Sequence, residues 1–365
     1  MEKNSGGIVM PDPTKSIYHS SNYAVSEDVV FLDITPRNFT VAGLYEPYSG
    51  KPYRRMPQDI AKAVSPGVGG LCLNPAGGRI LFRTDSPYLV FRTAYSNTER
   101  RPHLTLVTTV GFDVYAVKCD REEYVCTLKP PVDVETGYTA QVGIPSRPGS
   151  PLDYVIYMPC YNGLSSLQIG IKSGCKIEKP EFSYKNNLPV VYYGSSITQG
   201  ATASRPGLAY ESIIARDYGY DFINLGFAGN AKGEEAMVEY LAGLECSCLV
   251  CDYDHNAPSP EHLEMTHGRL YDTVRKKNPS LPIVFVTRPV YRNPSKEDLL
   301  RRETVFATYK RAVDSGDGKV AFVDGCKFFD GLTGTDCTVD GVHPNDIGMY
   351  YMAKAIGKAI HSFLM

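Results

Sequence analysis

This sequence of 365 residues contains no tryptophan, and its formal net charge is only -2. A nearly neutral chain has no electrostatic attraction for nucleic acid or for an anionic membrane surface. The sequence also has no apolar run long enough to span a bilayer, and its first residues lack the basic and then apolar pattern of a secretory signal. These absences predict a cytoplasmic protein without nucleic-acid or membrane partners. A secreted mature form that has lost its leader remains the alternative.

Cysteine, in contrast, is plentiful, with ten residues in a chain that shows no export signal. Cys246, Cys248 and Cys251 form the only cluster, and His255 lies near them in the sequence. Their spacing matches no familiar set of zinc ligands, so we expect residues 248–251 to form a buried strand instead. Reduced thiols also fit a cytosolic setting better than an oxidising one. We therefore expect no metal and no cofactor.

The length of the chain favours two domains, and the texture of the sequence changes near residue 186. Residues 1–185 hold short β-like runs separated by glycine and proline, without long helical stretches. The runs lie at residues 29–32, 39–42, 78–83, 88–92, 103–108, 154–158 and 166–171. This pattern predicts a β-sandwich of jelly-roll type for residues 1–185.

Residues 186–365 alternate between short apolar runs and longer helical patterns. Strands are predicted at 190–193, 222–225, 248–251, 282–287 and 320–323, and helices at 208–218, 233–244, 260–277, 296–315 and 346–363. Ser259 is the expected N-cap of the third helix. Such alternation is typical of a parallel sheet covered by helices on both faces, so the second domain is predicted to be α/β.

Small and polar residues collect where these predicted strands end. They are Gly194-Ser195-Ser196 after the first strand, residues 224–230 after the second, residues 252–256 after the third and residues 340–345 before the last helix. The carboxyl ends of parallel strands meet at one edge of a sheet, where ligands and catalytic groups gather. We therefore expect these four segments to form one site.

The residue types in these segments suit acyl transfer through a serine. Serine is a weak nucleophile and needs a base within hydrogen-bonding reach, and His343 can be that base. Asp340 can reach back to the imidazole ring if the chain turns at Gly341. Taken singly, Ser196 could be a capping serine, His343 a surface histidine and Asp340 a turn residue. Their combination is what points to catalysis.

An acyl-transfer site also needs hydrogen-bond donors for the oxyanion of the tetrahedral intermediate. A glycine whose backbone N–H can approach the substrate and a side-chain amide aimed at the same point would supply them. Gly229 and Asn256 are the candidates, together with the N–H of Ser196 itself. We read Asn224 and Asn230 as turn residues and leave them outside the catalytic set.

These segments resemble the SGNH hydrolase, or GDSL esterase, superfamily, which is named for its serine, glycine, asparagine and histidine. The resemblance covers residues 189–365 and implies a flavodoxin-like three-layer α/β/α domain with Ser196, Asp340 and His343 as the catalytic triad. Gly229 and Asn256 match the oxyanion donors. This sequence departs from the family twice, since Ser195 replaces the aspartate of the usual Gly-Asp-Ser, and the third segment reads Asp-His-Asn-Ala instead of Gly-x-Asn-Asp.

The first domain resembles the N-terminal β-sandwich of a bacterial two-domain subgroup of these hydrolases, whose motif is Gly-x-Asp-Leu-Tyr. Residues 111–115 match it with valine in place of leucine, and residues 157–163 are also similar. The resemblance implies an esterase that removes acyl groups, above all acetyl, from carbohydrate, with a small-molecule or oligosaccharide ester as its substrate. Two alternatives stay open: a short-chain lipase or thioesterase acting on a non-sugar ester, and a catalytically weak carbohydrate-binding protein.

Three further residues are candidates for binding a polar substrate. Arg205 and Arg288 lie near predicted strand ends, and His255 lies next to Asn256. Each has an ordinary alternative, because such arginines often pair with a surface carboxylate and a histidine there can simply line the pocket. The sequence leaves open whether the chain forms a homo-oligomer.

Overall fold

The structure, a computed structural model, describes residues 25–49 and 52–365. The N-terminal part of the described chain is built from antiparallel strands with short helices in the connections. The strands are β1 (Val29–Asp33), β2 (Thr40–Ala42), β3 (Arg79–Thr84), β4 (Tyr88–Tyr95), β5 (Phe112–Lys118), β6 (Arg121–Leu128), β7 (Gly137–Gly143), β8 (Leu152–Tyr157), β9 (Leu164–Lys172) and β10 (Ile177–Glu178). The helices are α1 (Gln58–Val64), α2 (Pro66–Leu71) and α3 (Leu106–Val110).

The N-terminal strands form two sheets that face each other. One sheet has the order β1-β9-β4-β7, and the other has the order β10-β3-β8-β5-β6 with β2 paired to β3. Alternate side chains of each strand point into the space between the sheets. Phe91 of β4 and Phe112 of β5 meet there with ring centroids 5.4 Å apart, and burying such a ring contributes about 1.5–3 kcal/mol. The predicted β-sandwich is confirmed.

The prediction of a strand over residues 103–108 is wrong, because this segment leads into α3. The hydroxyl of Thr105 accepts a hydrogen bond from the backbone N–H of Thr108 at 3.0 Å, which is the contact of a helix N-cap. A six-residue apolar and polar alternation is too short to separate a strand from a capped helical turn. The turn places His103, two residues before the cap, toward the C-terminal part of the chain.

The C-terminal part of the chain alternates strands and helices as predicted. Its elements are β11 (Val190–Gly194), α4 (Ser196–Gln199), α5 (Tyr210–Tyr218), β12 (Phe222–Gly226), α6 (Glu235–Gly243), β13 (Cys248–Asp252), α7 (Pro260–Lys277), β14 (Ile283–Val286), α8 (Lys296–Asp314), β15 (Val320–Val323) and α9 (Asp346–Leu364). Ser259 caps α7 by accepting from the N–H of His262 at 3.2 Å. All the strands are parallel in the order β12-β11-β13-β14-β15, which is flavodoxin-like and confirms the predicted α/β class.

Both faces of this parallel sheet are buried, which explains the continuous apolar runs in its strands. In β11, Val190 and Tyr192 pack with α5 and α9, whereas Val191 and Tyr193 pack with α6, α7 and α8 on the other face. Cys248 and Cys251 are buried in β13. Within residues 25–49 and 52–365 no group of three metal-ligating side chains comes together. None of the helices in those ranges is long and apolar enough to cross a membrane.

The two parts of the chain share a core. Helices α1 and α2, which interrupt the sandwich sequence and were not predicted, pack against α6 and the parallel sheet. Their segment contributes four buried side chains to the C-terminal core, namely Met56, Ala61, Val68 and Cys72. Next to them, the buried guanidinium of Arg55 donates to the backbone oxygens of Asn224 at 3.0 Å and Gly226 at 2.5 Å. The sandwich therefore supports the end of β12 directly.

A second contact between the two parts uses the Gly-x-Asp-x-Tyr motif of β5. Asp113 is fully buried, and its carboxylate accepts from Arg205 Nη1 at 2.9 Å, from the N–H of Gly207 at 2.7 Å and from the Thr127 hydroxyl at 2.6 Å. The hydroxyl of Tyr115 also accepts from Arg205 Nη1, at 2.8 Å. The motif thus holds the segment that leads from α4 to α5.

Because Asp113 neutralises a largely buried arginine, its removal should destabilise the fold. We expect Asp113→Ala to lower the free energy of unfolding by about 3 kcal/mol or more, since it leaves Arg205 and the Gly207 N–H without their acceptor. Urea unfolding followed by circular dichroism measures this. The matched control is Asp272→Ala, which breaks a half-exposed pair with Arg311 and should cost less than about 1 kcal/mol. Equal losses in both variants would contradict a special role for Asp113.

Candidate active site

Ser196 lies at the first turn of α4, directly beyond the carboxyl end of β11. The turn is tight, because a side chain at Gly194 would collide with Thr198 and the backbone of Asp252. Ser195 caps α4, and its hydroxyl accepts from the N–H of Ile197 at 3.1 Å. Serine and aspartate are comparably good N-caps, so the departure from Gly-Asp-Ser at position 195 preserves this local role.

The structure brings Ser196 and His343 together although 147 positions separate them, with Ser196 Oγ 3.0 Å from His343 Nε2. On the other side of the ring, His343 Nδ1 lies 2.8 Å from Asp340 Oδ2. Gly341 has φ of +83°, a left-handed conformation that suits glycine, so the turn expected at this residue is present. Serine, imidazole and carboxylate therefore form one continuous chain of contacts.

Asp340 is held in its charged form by local hydrogen bonds. Burial alone would raise the pKa of Asp340, but hydrogen bonds from the backbone N–H and the ring of His343 and from the N–H of Val342 outweigh it and hold the pKa at about 2. The two backbone bonds measure 2.8 and 3.0 Å. A carboxylate that stays ionised over the working pH range fixes which ring nitrogen of His343 carries the proton.

Backbone donors lie beside the serine. The N–H of Ser196 is in the first turn of a helix, where N–H groups lack an intrahelical partner. Among the described residues, neither this N–H nor that of Gly229 has an acceptor. Gly229 has φ of +70°, and no described atom lies within 4 Å of where its Cβ would be. Open space therefore lies beside Gly229, and a ligand can supply the acceptor that its N–H lacks in the described part of the chain.

Asn256 lies in a short 3₁₀ turn, Asp254–Asn256, after β13. Its side-chain oxygen is buried and has no hydrogen-bond partner among the described residues. The neighbouring His255 has its ring 6.5 Å from that of His343. Burial, followed by the charges of Arg288 and His343, lowers the pKa of His255 to about 3, so its ring is neutral. This side of the site is therefore polar, and the His255 ring in it carries no charge.

The other residues expected near the substrate occupy different surroundings. Arg288 donates its backbone N–H to Asp254 at 3.0 Å and pairs through Nη1 with Asp298 at 3.2 Å. Its buried Nε has no partner within the described residues. Arg205 instead pairs with Asp113, which is the carboxylate-pairing alternative given for it above.

The loop that carries Gly229 is held in place by hydrogen bonds from two buried amide side chains. Asn224, almost fully buried, donates to the backbone oxygen of Thr198 at 2.5 Å and accepts from the N–H of Gly226 at 2.9 Å. Gln199 accepts from the N–H of Ala228 at 3.0 Å and donates to the backbone oxygen of Cys160 at 3.2 Å. These bonds fix the loop relative to α4. Asn224 lies within β12 and not in a turn, so the interpretation of it as a turn residue is wrong, and its role is to hold α4 and the end of β12 together.

The N-terminal part contributes two residues that the sequence did not single out. The ring of His103 stacks on that of His343, with centroids 5.3 Å apart and planes 25° apart. The hydroxyl of Tyr161 donates to the backbone oxygen of Ser196 at 3.5 Å. Tyr161 lies within residues 157–163, which were noted for their resemblance to a two-domain subgroup. His103 had no such signal, because its segment was read as a strand.

Sequence comparisons assign both parts of the chain to known families. Residues 187–361 match the model of the GDSL-like lipase/acylhydrolase family. Residues 29–177 match the model called GxDLY, described as the N-terminus of SGNH-hydro-type esterases. No curated protein matches the chain in sequence.

Solved structures share the whole two-part architecture. A protein from Bacteroides ovatus described as a GDSL-like lipase is 28% identical with a TM-score of 0.81, covering 92% of this chain and 98% of its own. A salicylyl-acyltransferase from a tetracycline biosynthetic pathway is 19% identical with a TM-score of 0.74, covering 93% and 98%. A family two carbohydrate esterase from Clostridium thermocellum is 13% identical with a TM-score of 0.61, covering 90% and 99%. The last two show a common fold only.

Proposed function

The C-terminal part of this chain belongs to the GDSL-like lipase/acylhydrolase family and hydrolyses ester bonds, and on that premise we propose that it is a serine esterase that removes acetyl groups from carbohydrate. The observation that carries the proposal is the 3.0 Å contact between Ser196 Oγ and His343 Nε2. A nucleophile within hydrogen-bonding distance of a base that is itself oriented by a carboxylate is the arrangement that activates serine.

In the proposed reaction, Ser196 Oγ attacks the ester carbonyl and His343 Nε2 takes its proton. The imidazolium that forms is stabilised by the Asp340 carboxylate, which keeps its charge. The carbonyl oxygen becomes an oxyanion, and the N–H groups of Ser196 and Gly229 with the Asn256 amide stabilise it. His343 then protonates the departing alcohol. Water, activated by the same imidazole, releases the acyl group from Ser196 and restores the hydroxyl.

The surroundings of His343 support a short acyl group. On the β13 side, Asn256 Oδ1, His255 Nδ1 and Arg288 Nε are buried and lack partners among the described residues. A long apolar acyl chain would offer these atoms no hydrogen-bond partner, and a buried polar atom that stays unpaired costs about 1–3 kcal/mol. A short acyl group leaves room beside them for water or for the hydroxyls of a sugar, which can pair with them.

Carbohydrate as the alcohol is supported by the polar wall that the sandwich adds to the site, beginning with His103 and Tyr161. The same two-part fold occurs in the family two carbohydrate esterase from Clostridium thermocellum. A sugar exposes many hydroxyls, and a wall of donors and acceptors can replace the water that these hydroxyls lose on binding.

A panel of esters tests the proposed function. We expect kcat/KM to be highest for acetylated xylotetraose, to be at least tenfold lower for 4-nitrophenyl octanoate than for 4-nitrophenyl acetate, and to be low for acetyl thioesters. The reason is the polar lining, which disfavours apolar chains. Faster turnover of the octanoate ester or of the thioester would instead make the chain a lipase or a thioesterase. Absence of any turnover, with no fluorophosphonate adduct at Ser196, would favour a binding protein.

A further inference from the structure

We propose that a cleft in the N-terminal sandwich, next to Ser196, binds the sugar that carries the scissile ester. This inference rests on the proposed function and names where the alcohol part of that substrate lies. The cleft has a volume of about 290 Å³, and all of its lining residues belong to the segment between Pro66 and Gly163. No residue of the parallel-sheet part lines it. In this arrangement the triad cleaves the ester, and the cleft binds the sugar.

Three residues that line the cleft also touch the segments that form the catalytic site. Tyr161 donates through its hydroxyl to the backbone oxygen of Ser196. Gly67 lies so close to the Asn230 side chain that a Cβ at this position would collide with it, and Asn230 directly follows Gly229. Leu104 packs in one small cluster with Ala201 and Ala228. The walls of the cleft are thus in contact with the oxyanion loop and with the segment that carries the nucleophile.

The wall of the cleft contains side chains suited to hydroxyl groups. Asn74 is only 8% exposed, and its side-chain amide makes no hydrogen bond with the described residues. Its amide group is therefore available to a ligand or to water. Arg101 and Glu99, which pair with each other at 3.1 Å, add a donor and an acceptor at the rim, and Asn97 adds another amide.

The cleft also offers apolar surface of limited extent. Leu71 and Leu104 line it, and the Tyr161 ring lies under the Arg101 guanidinium at 5.8 Å. A sugar ring has apolar C–H faces and polar edges, so a ring and leucines flanked by amides match both. The volume is near the lower limit of about 300–1,000 Å³ for small-molecule sites, which suits one or two sugar rings rather than a long chain.

Filling the cleft tests the inference. Gly70, in α2, lines the cleft, and no described atom lies within 4 Å of where its Cβ would be, so Gly70→Phe should place a ring in the cleft without backbone strain. We expect the ratio of kcat/KM for acetylated xylotetraose to that for 4-nitrophenyl acetate to fall at least tenfold, mainly through KM. Gly318→Phe is the matched control, since Gly318 is equally open and precedes β15, at the opposite edge of the sheet. There the ratio should change less than twofold.

The outcomes separate the inference from the proposed function. An unchanged ratio in a folded Gly70→Phe protein, or an equal fall for both substrates, would overturn the inference. A selective loss with 4-nitrophenyl butyrate instead of the sugar ester would place the acyl group in the cleft and also overturn it. If Gly70→Phe does not fold, as judged by its thermal melt, Arg101→Ala should lower the same ratio at least threefold.

Binding without chemistry gives an independent readout. The Ser196→Ala protein should bind unacetylated xylotetraose or cellotetraose, as measured by calorimetry or NMR. Adding Gly70→Phe should raise the dissociation constant at least tenfold. This result would support the cleft even if the wild-type protein hydrolysed no ester, in which case only the proposed function would fail. No binding of either tetrasaccharide, in a protein that does hydrolyse 4-nitrophenyl acetate, would overturn the inference alone.

Discussion

Replacing Ser196 by alanine is expected to lower kcat for 4-nitrophenyl acetate by on the order of 10⁶, because no other group in the proposed mechanism can form the acyl-enzyme. The thermal melt should change by no more than a degree or two, since Ser196 is partly exposed and, among the described residues, its hydroxyl forms a hydrogen bond with His343 alone. Stopped assays with the purified variant and a differential scanning melt measure the two quantities.

The adjacent serine gives a matched control with the opposite pattern. Ser195 is 1% exposed, and its hydroxyl caps α4. Ser195→Ala should therefore lower the free energy of unfolding by about 1 kcal/mol while keeping kcat within about tenfold of wild type. If Ser195→Ala removed activity and Ser196→Ala retained it, the nucleophile would be Ser195 and the mechanism above would be wrong.

The second large effect is expected for Asp340→Asn, which should lower kcat by on the order of 10⁴. An asparagine can accept from the backbone N–H groups of Val342 and His343 as Asp340 does, so the loop should keep its shape. It cannot stabilise the imidazolium, and its amide favours the wrong tautomer of His343. The effect is therefore expected in kcat rather than KM.

Asp330→Asn controls for this change. Asp330 is exposed, and its side chain has no hydrogen bond or ion pair with the described residues, so kcat should stay within about twofold. A loss of less than tenfold in Asp340→Asn would show that another group orients His343. The stacked ring of His103 would be the first residue to examine.

Local sequence patterns were sufficient to predict the C-terminal part of the fold. Every strand there is a short, mainly apolar run, and every long helix has a cap or a regular apolar spacing, as Ser259 and residues 260–277 illustrate. These signals act over a few residues and hold wherever the element is placed. The contact of Ser196 with His343 could be predicted for the same reason. Ser196 follows the end of a strand and His343 precedes the last helix, and such segments meet at one edge of a parallel sheet.

The N-terminal contribution to the site could not be predicted in this way. The ring of His103 contacts that of His343. Arg55 donates to Asn224 and Gly226, which lie 169 and 171 positions further along the chain. No periodicity encodes such long-range contacts. Helices α1 and α2 were missed because each is only six or seven residues long, and their stability comes from packing on the other part of the chain rather than from their own sequence.

The shared core formed by Met56, Ala61, Val68 and Cys72 with the parallel sheet bears on how such a chain can diversify. Recombination that joined this hydrolase half to an unrelated partner would uncover apolar surface and leave the end of β12 unsupported. We therefore expect new specificities to arise by substitution within the existing pair of halves and not by exchange of one half. Divergence of this kind would keep the two-part fold and change the residues around the edge of the site.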